Sequence, residues 1–261
     1  MPELPDVECQ RRYLAATSLH RTIERVRVFD DRVLEGETPA TLGRKVHARR
    51  FESSRRHGKW LVAPLDRRGA VGFHFGMTGR LESHRAPAPP PAHGQVRFRF
   101  RDGGALDYVA PRKLGVVRTA ESLVELVEEK SLGPDAWTVS YDEFRARIGP
   151  KRGTIKGALT DQSALAGLGN VYADEILFQA GIHPRAAASH LSSDRLRTLF
   201  SAMHDVLRTA VAARADPESM PDSYLLRRRS PGEPCPRCSG SVETYQVGGR
   251  RGCYCPRCQP R

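Results

Sequence analysis

The chain begins Met1-Pro2-Glu3, and removal of Met1 frees the ring nitrogen of Pro2 as an N-terminal secondary amine. An α-amino group titrates near pH ~8, against ~10.4 for a lysine side chain, so a useful fraction is unprotonated at neutral pH. Such an amine can add to an aldehyde-like carbon and leave an iminium, the amine form of covalent catalysis. Glu3 beside it is a carboxylate able to move protons. A Met-Pro start is also an ordinary start with no chemistry attached, so the rest of the chain has to supply the setting.

A second set of residues points to a metal. Cys235-Pro236-Arg237-Cys238 and Cys255-Pro256-Arg257-Cys258 enclose sixteen residues, 239 through 254. Two C-x-x-C knuckles at this separation bring four thiolates to one tetrahedral zinc. Four sulfur ligands leave no open position, so one structural ion is expected, supplying roughly 10 kcal/mol or more of folding energy to a small hairpin. Cys253 could replace Cys255 only with poorer C-x4-C spacing. Five of the six cysteines crowd into this last stretch, which reads as metal binding in a reducing compartment. Gly248-Gly249-Arg250-Arg251-Gly252 suits a hairpin tip that comes close to a phosphate backbone.

These residues need elements to hold them. Residues 3–18 read as a first helix with Val7, Gln10 and Leu14 on one side. From 21 to about 120 the period becomes two. Arg21 to Phe29 alternates, and so does Gln95 to Arg101, which turns at Asp102-Gly103-Gly104 and returns as Ala105 to Tyr108. That is a hairpin with one apolar and one basic face. Lys59 to Ala63 and Ala70 to Phe75 add strands, and the Pro-rich stretch 86–92 is a surface loop. Several short strands in sequence argue a β-sandwich. After about residue 121 the period becomes helical. Ser192-Ser193 can cap a helix carrying Leu196, Leu199, Phe200, Met203, Leu207, Ala210 and Val211. Between them, Gly167 and Gly169 bracket a turn, Asn170 stands where a cap is expected, and Gly181 ends the helix before Pro184. A tight turn into a helix N-terminus is an anion site; an ordinary helical hairpin in a core is the other reading. Asp216 to Arg229 reads as a polar connector. The expected class is α+β: a β-sandwich over 1–125, a helical domain over 126–230 and a zinc hairpin over 231–261.

The chain has 261 residues and a formal net charge of +12. A charge of this size argues for a polyanionic partner, although scattered arginine also marks an arginine-rich proteome. A long uncharged apolar run and a signal segment are both missing from the sequence, so no membrane span is expected. The expected location is cytoplasmic, at the nucleoid where the polyanion is DNA.

Taken together these residues resemble the formamidopyrimidine-DNA glycosylase and endonuclease VIII family of base-excision repair enzymes, from Pro2 to Gln259. The landmarks are Pro2-Glu3-Leu4-Pro5-Asp6-Val7-Glu8, Gly58-Lys59-Trp60-Leu61, His74-Phe75-Gly76-Met77-Thr78-Gly79, the run from Gly167 to Leu177, and the cysteine hairpin. The resemblance implies a monomeric two-domain clamp on damaged double-stranded DNA, with a helix-two-turn-helix element and a zinc ribbon. It implies that Pro2 attacks C1′ of a damaged nucleotide, that Glu3 handles protons on the sugar, and that β/δ-elimination then cuts the strand. Lys59 joins Pro2 and Glu3 in the implied catalytic set, as a lysine that contacts phosphate near the lesion, and Asn170 and Arg250 match phosphate contacts of the helix-two-turn-helix and the zinc hairpin. Met77 and Arg112 match residues that fill the gap left by the extruded nucleotide, which must leave the stack before its sugar can be reached.

Each match has a plainer alternative. Met77 could fill a core, Lys59 could be an exposed strand lysine, and Arg112 and Lys113 could be solvated charges. Asp6 stands where the family usually has Glu, Leu114 replaces an aromatic wedge, Ala110 replaces an Asp, and the connector 215–232 is shorter than the loop that covers an oxidised purine. These departures leave the excised base open, a bulky or alkylated base included. A non-catalytic damage-binding clamp and a zinc-ribbon RNA binder are the rival functions.

Overall fold

The computed structural model describes residues 2–261; the expected loss of Met1 concerns a residue outside the described ones. The chain forms two compact units. One holds Pro2 and Asp6–Ser131, the other Glu3–Pro5 and Leu132–Arg261.

The first unit contains most of α1 (Leu4–Ser18), then β1 (Ile23–Val28), α2 (Pro39–Val46), β2 (Arg55–His57), β3 (Trp60–Pro64), β4 (Ala70–His74), β5 (Arg80–His84), β6 (Gly94–Phe100), β7 (Ala105–Val109), β8 (Val116–Ala120) and α3 (Leu123–Glu129). The strands pair antiparallel into two four-stranded sheets, ordered β1-β6-β7-β5 and β2-β3-β4-β8. Period-two alternation gives each sheet one apolar face, and the two faces share a core. Leu61, Val71, Phe73 and Val117 from one sheet meet Val96, Phe98, Leu106 and Tyr108 from the other, with the Phe73 and Phe98 rings edge to face at 6.0 Å. Val7 and Leu14 of α1 and Leu42 and Val46 of α2 close that core. The β-sandwich is present, and the Pro-rich stretch 86–92 is irregular. The unit runs to Ser131, and within it α3 is joined to β8 by a two-point Arg118–Glu129 pair at 2.7 and 2.6 Å.

The second unit contains α4 (Tyr141–Ile148), α5 (Ile155–Thr160), α6 (Asn170–Gln179), α7 (Ser193–Ala212) and the hairpin β9 (Glu243–Val247) and β10 (Arg250–Tyr254). Ser192 caps α7 by accepting the Arg195 N–H. Leu196, Leu199, Met203 and Leu207 of that helix pack with Ile176 and Leu177 of α6 and with Leu4. Residues 216–229 carry more apolar anchoring than the polar connector expected: Met220, Leu225 and Leu226 are buried. Among the described residues, no helix is long and apolar enough to cross a membrane.

Candidate active site and zinc centre

Pro2 is half-buried and joined directly to Glu3, which is enclosed at 1 % exposure. The Glu3 carboxylate sits at the N-terminus of α6. Its Oε2 accepts the N–H groups of Gly169 at 2.7 Å and Tyr172 at 3.2 Å, and its Oε1 accepts that of Val171 at 2.8 Å. The first N–H groups of a helix have no intrahelical partner and lie at the positive end of its dipole. Leu4 secures the approach, donating its N–H to the Gly167 carbonyl at 3.0 Å and burying its side chain in the helical core. Gly167 turns the chain at φ +118°, a conformation glycine adopts freely.

The expected anion site therefore exists, and the chain's own Glu3 fills it. Gly169 holds the cap position and Asn170 is the first helical residue. This corrects the expectation that Asn170 caps α6, because Glu3 already takes the donors a capping side chain would. Asn170 instead donates from Nδ2 to the Arg251 carbonyl at 2.9 Å, while its Oδ1 is buried without a partner among the described residues. Arg250 is exposed at the hairpin tip. Val247 and Arg250 pair across Gly248 and Gly249, whose φ values are +56° and +72°; two left-handed central residues make the turn that matches strand twist.

One buried carboxylate ties this hairpin to α6. Asp174 accepts from Lys156 Nζ at 2.6 Å and Tyr245 Oη at 2.5 Å on Oδ1, and from Arg229 at 2.6 Å and the Cys253 N–H at 3.0 Å on Oδ2. Its four donors come from α5, β9, the 216–229 segment and β10. A side chain at Gly252 would collide with the Lys156 ammonium and the Tyr245 ring, so glycine permits the close approach. Next along α6, Glu175 accepts the N–H groups of Leu225 at 3.2 Å and Leu226 at 2.8 Å; burial pushes its carboxyl up to about 7. Replacing Asp174 with Asn leaves Lys156 and Arg229 without their buried anion. The expected cost is about 3–5 kcal/mol, read as a lower denaturant midpoint with faster proteolysis around residue 230.

The four cysteines of the two knuckles converge. Cys235 and Cys258 Sγ lie 3.7 Å apart, Cys238 and Cys255 Sγ 3.6 Å, and all four within 4.8 Å of one another. A tetrahedral zinc with bonds of ~2.3 Å separates its sulfurs by about 3.8 Å, so the donor set fits one zinc ion. The Arg237 and Gly240 N–H groups point at Cys235 and Cys238 Sγ, at 3.4 and 3.3 Å, as thiolate ligands require. Cys253 is not a ligand: it is buried and donates to the Arg229 carbonyl at 3.0 Å. Chelation should release the hairpin alone. The expected result is one zinc lost per chain and new protease cuts across 230–258, with the first unit still folded.

Besides Pro2, three candidate residues lie in the first unit. Lys59 shares the β2–β3 turn with Gly58, at φ +55°, and is 7 % exposed, so it is not an exposed strand lysine. The nearby His74 imidazole is held down to about 4, first by burial and then by the Lys59 charge. Met77 is 42 % exposed, which removes the core-filling alternative. The Arg112 guanidinium meets its sulfur at 3.6 Å. Lys113 is no solvated charge, pairing with Asp30 at 2.6 Å. The Met77 turn is locked to its neighbour, since a side chain on Gly76 would clash with the Leu114 backbone. Leu114, 58 % exposed, flanks the pair. Sequence reasoning missed Asp174, Glu175 and His74 as individual residues. For the two acids the signal was available, because two carboxylates inside an apolar helix must be paired or protonated.

Comparison with known proteins covers the whole chain. The family model described as Formamidopyrimidine-DNA glycosylase N-terminal domain matches residues 1–117, its H2TH domain matches 132–221, and the zinc finger found in FPG and IleRS matches 232–261. Formamidopyrimidine-DNA glycosylase of Solibacter usitatus is 33% identical over 271 aligned positions, covering 100% of both chains. That of Bacillus licheniformis is 34% identical over 279, again covering 100% of both. Among solved structures, the Lactococcus lactis Fpg bound to abasic-site DNA is 25% identical with a TM-score of 0.89, covering 99% of this chain and 100% of that one. The LlFpg protein with a THF-DNA and an inhibitor is 26% identical with a TM-score of 0.90, covering 100% of both.

Proposed function

The chain belongs to the formamidopyrimidine-DNA glycosylase family, and from this premise we propose a reaction that runs through its second residue. It is a DNA repair glycosylase with abasic-site lyase activity, acting on damaged duplex DNA with one structural zinc. The Pro2 amine attacks C1′ of the damaged nucleotide as the base departs, giving an aminal; the C1′–O4′ bond then breaks, O4′ takes a proton, and the opened sugar is held as an iminium. That cation makes a C2′ proton acidic, and its removal expels the 3′ phosphate; a second elimination releases the 5′ phosphate. Glu3 handles protons on the sugar. Lys59, Asn170 and Arg250 hold phosphates, and Met77 and Arg112 fill the vacated stack. The enzyme works as a monomer at the nucleoid.

The observation that carries this reading is the three-point anchoring of Glu3, which gives a carboxylate one fixed position beside the N-terminal amine. The exposed Met77–Arg112 pair supports the wedge, since a residue that enters the base stack has to stand clear of the core. Incision of duplexes carrying oxidised purines, oxidised pyrimidines or bulky adducts tests the reading and names the base; failure to incise any of them, or an abasic site, overturns it.

Salt separates the phosphate contacts. Each cation on a phosphate contributes about −0.9 to the slope of log affinity against log salt. Lys59→Ala and Arg250→Ala should each flatten the slope by about 1, while the neutral Asn170→Ala weakens binding at an unchanged slope. An affinity that is flat between low and physiological salt contradicts all three roles.

A further inference from the structure

We propose a second nucleic-acid contact, for a single strand, on the outer face of the β1–β6 pair. It goes beyond the reaction above, and none of Lys59, Met77 or Arg112 lines it. A groove of about 570 Å³ runs over this face, lined by Arg25, Arg27, Arg97, Arg99, Phe29 and Pro90 together with Val26 and Val28. Four cations line it and no acid does. The volume is in the range of pockets that hold a nucleotide-sized ligand.

The register makes this arrangement unusual. Arg25 stands directly opposite Arg99, and Arg27 directly opposite Arg97. Like charges directly across a strand pair destabilise it, so two such pairs in succession call for an external anion. Internal compensation is partial. Arg97 is taken by buried Asp107, at 2.7 Å through both nitrogens, and braces the carbonyls of Ala88 and Pro89. Arg99 has only the exposed Glu24 at 3.1 Å, a weak pair in water. Arg25 and Arg27 have no ion pair among the described residues. β1 is an edge strand, and charge on an edge also blocks strand addition, but a single charged side chain suffices for that.

The aromatic decides between anions. Phe29 is 37 % exposed at the end of the groove with the Arg27 guanidinium over its ring at 4.8 Å. A cationic track beside an exposed ring is how single strands are held without sequence preference: phosphates along the arginines, a base on the ring. An acidic peptide would use the arginines and have no need of the ring.

The test uses the full chain saturated with an uncleavable abasic-analogue duplex, to which labelled oligothymidylate is added. Binding is expected on top of the duplex. It should fall at least tenfold in the R25E/R27E double variant and several-fold in Phe29→Ala, with the salt slope flattened by about 1.4 in the former, two contacts at about 0.7 each on a single strand. Duplex incision, measured on the same preparations, should be unchanged in both, which keeps this result separate from the lesion chemistry. No oligothymidylate bound to saturated wild type, or equal binding by the double variant, overturns the proposal. So does loss in the double variant with none in Phe29→Ala and equal competition by polyglutamate, which would make the face a site for acidic protein.

Discussion

Replacing Glu3 with Gln lowers single-turnover incision of a lesion-bearing duplex by about a hundredfold to ten-thousandfold, the range for losing a positioned acid or base. The substitution keeps the shape and removes the charge. It also spoils the anchor, because Oε2 serves Gly169 and Tyr172 while Oε1 serves Val171. Whichever position becomes the amide nitrogen faces an N–H it can no longer accept, so a cost of about 1–2 kcal/mol in thermal or denaturant stability accompanies the rate loss. The two readouts separate two roles. A carboxylate that only caps α6 gives the stability loss with incision within a few-fold of wild type. One that also handles protons gives both. Glu3→Asp is a useful partner, since the shorter side chain keeps the charge and retracts it from the three donors.

Much of this site was readable from local spacing. The zinc ligands were, because each C-x-x-C knuckle is a short-range device and four sulfurs suffice for one ion. The hairpin from Gln95 to Tyr108 was, because alternation and the Asp102-Gly103-Gly104 turn specify strand and register together. What escaped was set at long range. The cap of α6 lies 166 residues before it, at Glu3, and no window around Asn170 contains that carboxylate. The Asp174 network draws on Lys156, Arg229, Tyr245 and Cys253, four residues whose meeting depends on how the hairpin folds back on α6. The 216–229 segment looked polar because its anchors, Met220, Leu225 and Leu226, are sparse and without period. What pins it is Glu175, again from another element. Cys253 was ambiguous by spacing and is decided by burial and its bond to the Arg229 carbonyl.

The nucleophile is the claim on which the rest of the chemistry depends. Borohydride reduces an iminium to a stable amine, so it captures protein and DNA joined through the attacking nitrogen. With N-terminally processed protein and an abasic-site duplex, the account predicts a covalent complex whose digest places the sugar on the Pro2 nitrogen. Most of that complex should be lost in Pro2→Gly and all of it when the terminal amine is blocked. Absence of the complex from processed protein, or an adduct mapped to Lys59 with Pro2 unmodified, contradicts the account.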